Sequence, residues 1–312
     1  MEKGGVVMVG KENNEMLHVE DVEKINEMLE TIQKNKEQQR TVIVGPSFGK
    51  EEKRNTKLRV YSYGAHALEL STTRYAKNIL FPGKGWESYN KTLRGCRKYD
   101  ELNENVLKEM IKTAHDREIK TYKHYKERSA ETALIYQNRK KKGNAVLIDM
   151  EFTIPEEWIT KLAVFDKESK RGKPDLVVFD KIDKSFGLIE LKLSNDSTQN
   201  MTKHFADFYN MVHSEHSHEI KEELCRRVKY LVEYGIIDKI NDEYLNAAKN
   251  NPLWSAFLFV EGGEEKCRKT FEENNLPVIL TENIKIRRDE FGFLYADSLE
   301  TEIDYTKKGF GL

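Results

Sequence analysis

The chain has 312 residues, 34% of them charged, and its 52 basic and 53 acidic side chains leave a formal net charge of −1. That length holds one large domain or two smaller ones, and no apolar run reaches the length of a membrane span. Near-neutrality excludes a uniformly basic nucleic-acid binder but leaves room for a local cationic patch, because phosphate affinity depends on where the cations lie.

The N-terminal third reads as a small α/β module. A short strand is expected over 5–9, and an amphipathic helix over 19–35 carries Val22, Ile25, Met28, Leu29 and Ile32 on one face. Strands are expected over 41–44 and 58–70, the second broken near Gly64. Between them, Gly45 to Lys50 (GPSFGK) superficially fits a phosphate loop, but three residues rather than four separate its glycines. Glu51 stands where the Mg²⁺-binding hydroxyl belongs. This segment reads as a glycine-rich turn. Residues 78–99 are loop-rich, and a long helical region begins near Asp100, so a boundary falls near residue 100. The module spans 1–100, and its role is recognition, dimerisation or contact with a partner protein. The second domain spans 101–312.

In that second domain a helix is expected over 115–139 and a strand over 145–154, ended by Pro155. Residues 172–194 (GKPDLVVFDKIDKSFGLIELKLS) read as two apolar strands joined by a polar turn. A helix over 201–214 follows, carrying Phe205, Phe208, Tyr209 and Val212. The histidine cluster His213, His216 and His218 then falls at a helix end among Ser and Glu, as an exposed connection would. The run 253–260 (LWSAFLFV) is apolar enough for a strand buried on both faces. A helix over 264–275, a strand over 277–286 and a hairpin-like return at 291–295 would extend or cap the sheet.

The chemistry concentrates in the two strands at 172–194. Side chains two apart on a strand share a face, so Glu190 and Lys192 point one way and Ile189, Leu191 and Leu193 the other. Pairing as a hairpin brings Asp175 alongside Glu190. Two carboxylates and an ammonium inside a greasy sheet are costly unless paired or bound to a metal. Carboxylate oxygens suit a hard ion, Mg²⁺ or Mn²⁺, and an adjacent lysine can orient water or offset charge on a phosphorane-like transition state. Such a group is suited to phosphodiester hydrolysis.

Pro174-Asp175, a gap, then Glu190-Leu191-Lys192 resembles the motif of the PD-(D/E)xK (restriction endonuclease-like) nuclease superfamily over roughly 117–262. The resemblance implies an α/β fold with an αβββαβ core and mixed sheet, an order the expected elements follow. It implies a metal-dependent nuclease acting on nucleic acid, with DNA the expected substrate and a homodimer one way to cut both strands. It implies that Asp175, Glu190 and the backbone carbonyl of Leu191 hold Mg²⁺ or Mn²⁺ and that Lys192 positions or helps deprotonate the attacking water. Family members often add an acid from the first helix. Glu131, one turn after Glu127, is the best match, with Glu151 on the following strand ranked beside it. Each reads equally well as a surface carboxylate; Asp149 shares Glu151's strand face.

Flanking cations offer phosphate contacts: Arg139, Lys140 and Lys141 before the first core strand, Arg171 and Lys173 just before Pro174, and Lys203 and His204 on the next helix, facing with Asp207. A solvated surface is the plain alternative for each. Two rivals to a nuclease stand: a catalytically inactive member binding nucleic acid or protein, and an interaction protein in which Glu190 and Lys192 form a structural ion pair. Cys96, Cys225 and Cys267 show no disulfide framework or metal-ligand spacing, and the N-terminus has no signal-peptide core, so a reducing cytoplasm is expected. Anti-phage defence or restriction would suit such an enzyme.

Overall fold

A computed structural model of the chain describes residues 19–34, 41–44, 57–62, 65–73, 76–80, 99–121, 125–140, 143–154, 158, 173–193, 201–260, 278–279, 284–288 and 294–299. The expected strand at 5–9, the glycine turn at 45–50, the helix at 264–275 and most of the loop-rich stretch lie outside these residues.

The fold is mixed α/β, and the element that organises it is the expected hairpin. Strands β6 (Leu176–Asp180) and β7 (Ser185–Leu193) pair antiparallel, Leu176 opposite Ile189 and Asp180 opposite Ser185. Their turn is set by Asp180, whose Oδ1 accepts from the N–H of Ile182 at 2.8 Å and of Asp183 at 3.4 Å. On the outer side of β6 runs β5 (Ala145–Met150), also antiparallel. On the far side of β7 the pairing turns parallel, first with β8 (Trp254–Val260) and then with the two residues of β9 (Val278–Ile279). A parallel neighbour needs a long crossover. Three helices fill it: α4 (Met201–Val212), α5 (Ser217–Glu233) and α6 (Asp242–Asn250).

Because both faces of this sheet are covered, its strands read as continuous apolar runs. Leu176, Val178, Ile189, Leu191, Ala256 and Leu258 pack on one face against Ala130, Leu134 and Ile135 of α3 (Tyr125–Lys140). Val177, Phe179, Phe186 and Leu188 pack on the other against Phe208 of α4 and Ile220, Leu224 and Val228 of α5. Each such buried side chain contributes about 1.5–3 kcal/mol relative to exposure. Gly187 is demanded by this packing: a Cβ there would overlap the indole of Trp254, whose Nε1–H donates to Ser185 Oγ at 3.1 Å. Gly187→Ala is expected to destabilise by about 1–3 kcal/mol through overpacking, read from urea unfolding midpoints.

The N-terminal part forms a separate antiparallel sheet of β1 (Thr41–Val44), β2 (Lys57–Ser62), β3 (Ala65–Thr73) and β4 (Ala76–Leu80) in that order. The break expected near Gly64 is the hairpin between β2 and β3. Helix α1 (Val19–Lys34) buries Val22, Ile25, Leu29 and Ile32 against Ala67, Leu68 and Leu70. The same cluster takes Leu107, Met110, Ile111 and Ala114 of α2 (Glu104–Thr121). Packing therefore groups α2 with the N-terminal part. The single helix expected over 115–139 is accordingly two. Strands β10 (Ile284–Arg288) and β11 (Leu294–Leu299) pair with each other, not with the main sheet. No helix among the described residues is long and apolar enough to cross a membrane.

The two parts share more than a linker. Tyr61 of β2 belongs to the apolar cluster beneath α3 and β5. Beside it, Arg59 Nη2 donates to Asp149 Oδ1 of β5 at 3.0 Å, while Asp149 Oδ2 takes Arg227 Nη1 of α5. Arg227 also reaches Glu223 Oε1 at 3.0 Å and lies 4.7 Å from the Phe152 ring centroid. Asp149 is 0% exposed. It is a buried junction of N-terminal sheet, central sheet and α5, neither a site acid nor a solvent-facing residue.

Candidate metal centre

The hairpin register continued past Leu176 sets Asp175 across from Glu190 and Pro174 across from Leu191. Proline has no N–H to give Leu191's carbonyl, and Pro174's own carbonyl accepts from Phe152 N at 3.1 Å. Leu191 N–H turns instead to Asp175 Oδ2, at 2.7 Å. In an extended strand a residue's N–H and C=O emerge on one edge, so the Leu191 carbonyl leaves β7 on the side of Asp175. The ladder thus ends where the acids begin, and the proline ends it.

On the face shared with Leu188, Lys192 Nζ donates to Glu190 Oε1 at 2.6 Å. From α4, His204 Nδ1 meets the same oxygen at 2.8 Å. Glu190 is 2% exposed, and its second oxygen, Oε2, is buried without a hydrogen-bond partner. The third acid comes from the first turn of α3. One carboxylate oxygen from each of Glu127, Asp175 and Glu190 lies within 4.8 Å of the other two. Ions of the size of Mg²⁺ or Mn²⁺ bind oxygens at about 2.0–2.2 Å, which spaces the ligands roughly 3–4 Å apart. Glu127 and Asp175 are half-buried and leave the group open on their side.

The electrostatics of the three acids are uneven. Burial, then the charges of Glu190, Glu131 and Glu127, push the Asp175 carboxyl well above its ordinary range. Burial also raises Glu190, but the bond from His204 and the charge of Lys192 outweigh it and hold that carboxyl below its usual range. For Lys192 the desolvation of its ammonium is outweighed by Glu190, which keeps it protonated. One acid of the trio is satisfied as an anion. Another sits beside it unable to ionise cheaply, and an orphan oxygen faces no donor. Oxygen donors, net negative charge and an unsatisfied buried lone pair fit a hard divalent cation.

The sequence expectations meet this geometry unevenly. Asp175, Glu190, Lys192 and His204 converge. Glu131 lies beside the trio rather than in it: it is 1% exposed, one turn deeper along α3, its charge acts on Asp175, its Oε2 is buried without a hydrogen-bond partner, and burial with the charges of Glu151 and Glu127 raises its carboxyl well above the usual range. The helix acid beside Asp175 and Glu190 is Glu127, and Glu127→Gln is expected to weaken Mn²⁺ binding about ten-fold or more by calorimetry while leaving the fold unchanged. A helix break ahead of Tyr125 would have flagged Glu127 as a first-turn residue.

Glu151 is likewise outside the trio. It ends β5 with φ of 49°, binds Arg128 Nε at 2.9 Å and Lys173 Nζ, and those cations hold its carboxyl low against burial. Its backbone N–H donates to the Asp175 carbonyl at 2.9 Å, which keeps this cluster beside the acids. Lys173 therefore reaches Glu151, while Lys203 lies half-buried on α4. Arg139 and Lys140 close α3 twelve and thirteen residues beyond Glu127, about 18–20 Å along the axis, and Arg139 lines a small cavity with Asn138, Lys181 and Asp238. Lys141 and Arg171 lie outside the described residues. His216 and His218 pair with Glu219 and Glu222 on α5 and take no part. The chain matches no family model, no curated protein and no solved structure.

Proposed function

We propose that this protein is a metal-dependent nuclease of the PD-(D/E)xK (restriction endonuclease-like) type, hydrolysing phosphodiester bonds, with DNA as the expected substrate. The observation that carries the reading is the meeting of Glu127, Asp175 and Glu190 beside Lys192, with Glu190 Oε2 buried and unsatisfied. The order α3, β5, β6, β7, α4, α5, α6, β8 contains the αβββαβ succession of that superfamily, with two further helices in the crossover before β8, and supports the same reading.

Glu127, Asp175, Glu190 and the Leu191 carbonyl would hold Mg²⁺ or Mn²⁺. Such an ion, when bound, polarises a phosphodiester and acidifies a water. The chain's own groups do the remaining work. Glu190 anchors the Lys192 ammonium, which keeps N–H donors for a water or a phosphate oxygen. Arg128 and Lys173, held by Glu151, and Lys203 on α4 would offer their charges to the flanking phosphates. The setting we propose is restriction or anti-phage defence, with the N-terminal sheet as the recognition or assembly element.

A panel of single- and double-stranded DNA and RNA, each with Mg²⁺, Mn²⁺ or chelator, tests the proposal, with Lys192→Ala protein as the control for contamination. Cleavage that needs the cation and disappears in Lys192→Ala is expected. Binding without cleavage by any substrate would move the reading to an inactive member of the same fold. Cleavage equal in both proteins would remove the site from the reaction.

A further inference from the structure

Glu190 presents an asymmetry that its pairing with Lys192 does not account for. Its carboxylate has two equivalent oxygens, yet both nearby donors, Lys192 Nζ at 2.6 Å and His204 Nδ1 at 2.8 Å, converge on Oε1. Oε2 receives none. A buried carboxylate oxygen without a donor is costly, and an ammonium at the end of a flexible four-carbon stem can slide between the two oxygens to share its hydrogen bonds. An imidazole cannot. Its ring is planar, its Nδ1–H has one direction, and α4 is fixed on the sheet by the buried Ala206, Phe208 and Met211.

We infer, on the basis of the metal-dependent reading above, that His204 is a positioning residue: it locks Glu190 in the rotamer that turns Oε2 toward the cation shared with Glu127 and Asp175. Nδ1 is committed to Glu190, while 35% of the side chain remains exposed. His204 therefore acts first on the metal ligand, and the phosphate contact expected of it from sequence is secondary. The logic is that of the partners behind a metal's direct ligands, whose loss commonly weakens metal binding 10- to 100-fold.

Asparagine and alanine separate this role from simple packing, because the Asn amide nitrogen falls near the position of Nδ1 and keeps a donor. Calorimetric titration with Mn²⁺ of full-length wild-type, His204→Asn and His204→Ala proteins, beside metal-free thermal melts, is the test. His204→Ala should bind Mn²⁺ 10- to 100-fold more weakly, His204→Asn should stay within about three-fold of wild type, and all three should melt alike without metal. Wild-type affinity in His204→Ala would overturn the inference. So would an Asn variant as weak as the Ala variant, since a donor at that position would then be irrelevant. Failure of the wild-type protein to bind Mn²⁺ would instead sink the metal-dependent reading itself.

Discussion

Asp175→Asn should lower cation-dependent cleavage by about a thousand-fold or more while leaving the fold intact. The substitution is nearly isosteric, and an amide oxygen can still accept the Leu191 N–H that Oδ2 accepts at 2.7 Å. What disappears is the charge. That charge is held beside Glu190, Glu131 and Glu127, and burial together with those neighbours already opposes it. Without metal the neutral variant should therefore melt at the same temperature as wild type or higher. With Mn²⁺ the order should reverse, because wild type gains binding free energy that the variant lacks. Cleavage assays and paired melts with and without Mn²⁺ read both effects. A folded Asp175→Asn protein that cuts like wild type would remove the acids from the reaction.

Asp149→Ala should cost about 3–5 kcal/mol of stability. The carboxylate is fully buried and shared by Arg59 and Arg227, which approach from β2 and α5. Removing it leaves two guanidiniums facing each other in an apolar surround. Burial and the charge of Arg59 already disfavour the charged form of Arg227. Glu223 holds Arg227 at 3.0 Å but also serves Arg226. Because the junction joins the N-terminal sheet to the main one, unfolding in urea should also expose more of the chain in its earliest phase. A loss under 1 kcal/mol would show that the junction is dispensable.

Much of the site is legible in the sequence because β-structure has period two. Glu190 and Lys192 share a face by spacing alone, and a tight turn between two apolar runs fixes Asp175 across from Glu190. The strand at 254–260 is legible for the same reason, as an unbroken apolar run. Glu127 is harder to read because its role depends on where α3 begins. Drawn as one helix over 115–139, the segment puts Glu127 in mid-helix and Glu131 nearest the apolar face. Starting α3 at Tyr125 moves the open end of the helix, and the acid it presents, by one turn.

The charged junction is illegible for another reason. Arg59, Asp149 and Arg227 lie 90 and 78 residues apart, and no local pattern announces that a carboxylate on an apolar strand has two distant cations. From spacing alone Asp149 and Glu151 look like one polar strand face. The structure separates them, because Glu151 leaves the strand with a positive φ. Helices α5 and α6 are different again. Ile220, Leu224, Val228 and Leu231 have helical spacing, but the Ser-, His- and Glu-rich lead-in from 213 to 219 masks where α5 starts. Asn241, whose side chain accepts from Glu243 N–H at 2.9 Å, is the cap that marks α6.

The most direct measurement is diffraction from Mn²⁺-soaked crystals, recorded at the manganese absorption edge. An anomalous peak is expected among the carboxylate oxygens of Glu127, Asp175 and Glu190, with Oε2 of Glu190 directed at the ion. Manganese bound elsewhere, or no peak among these three acids at saturating concentration, would contradict it.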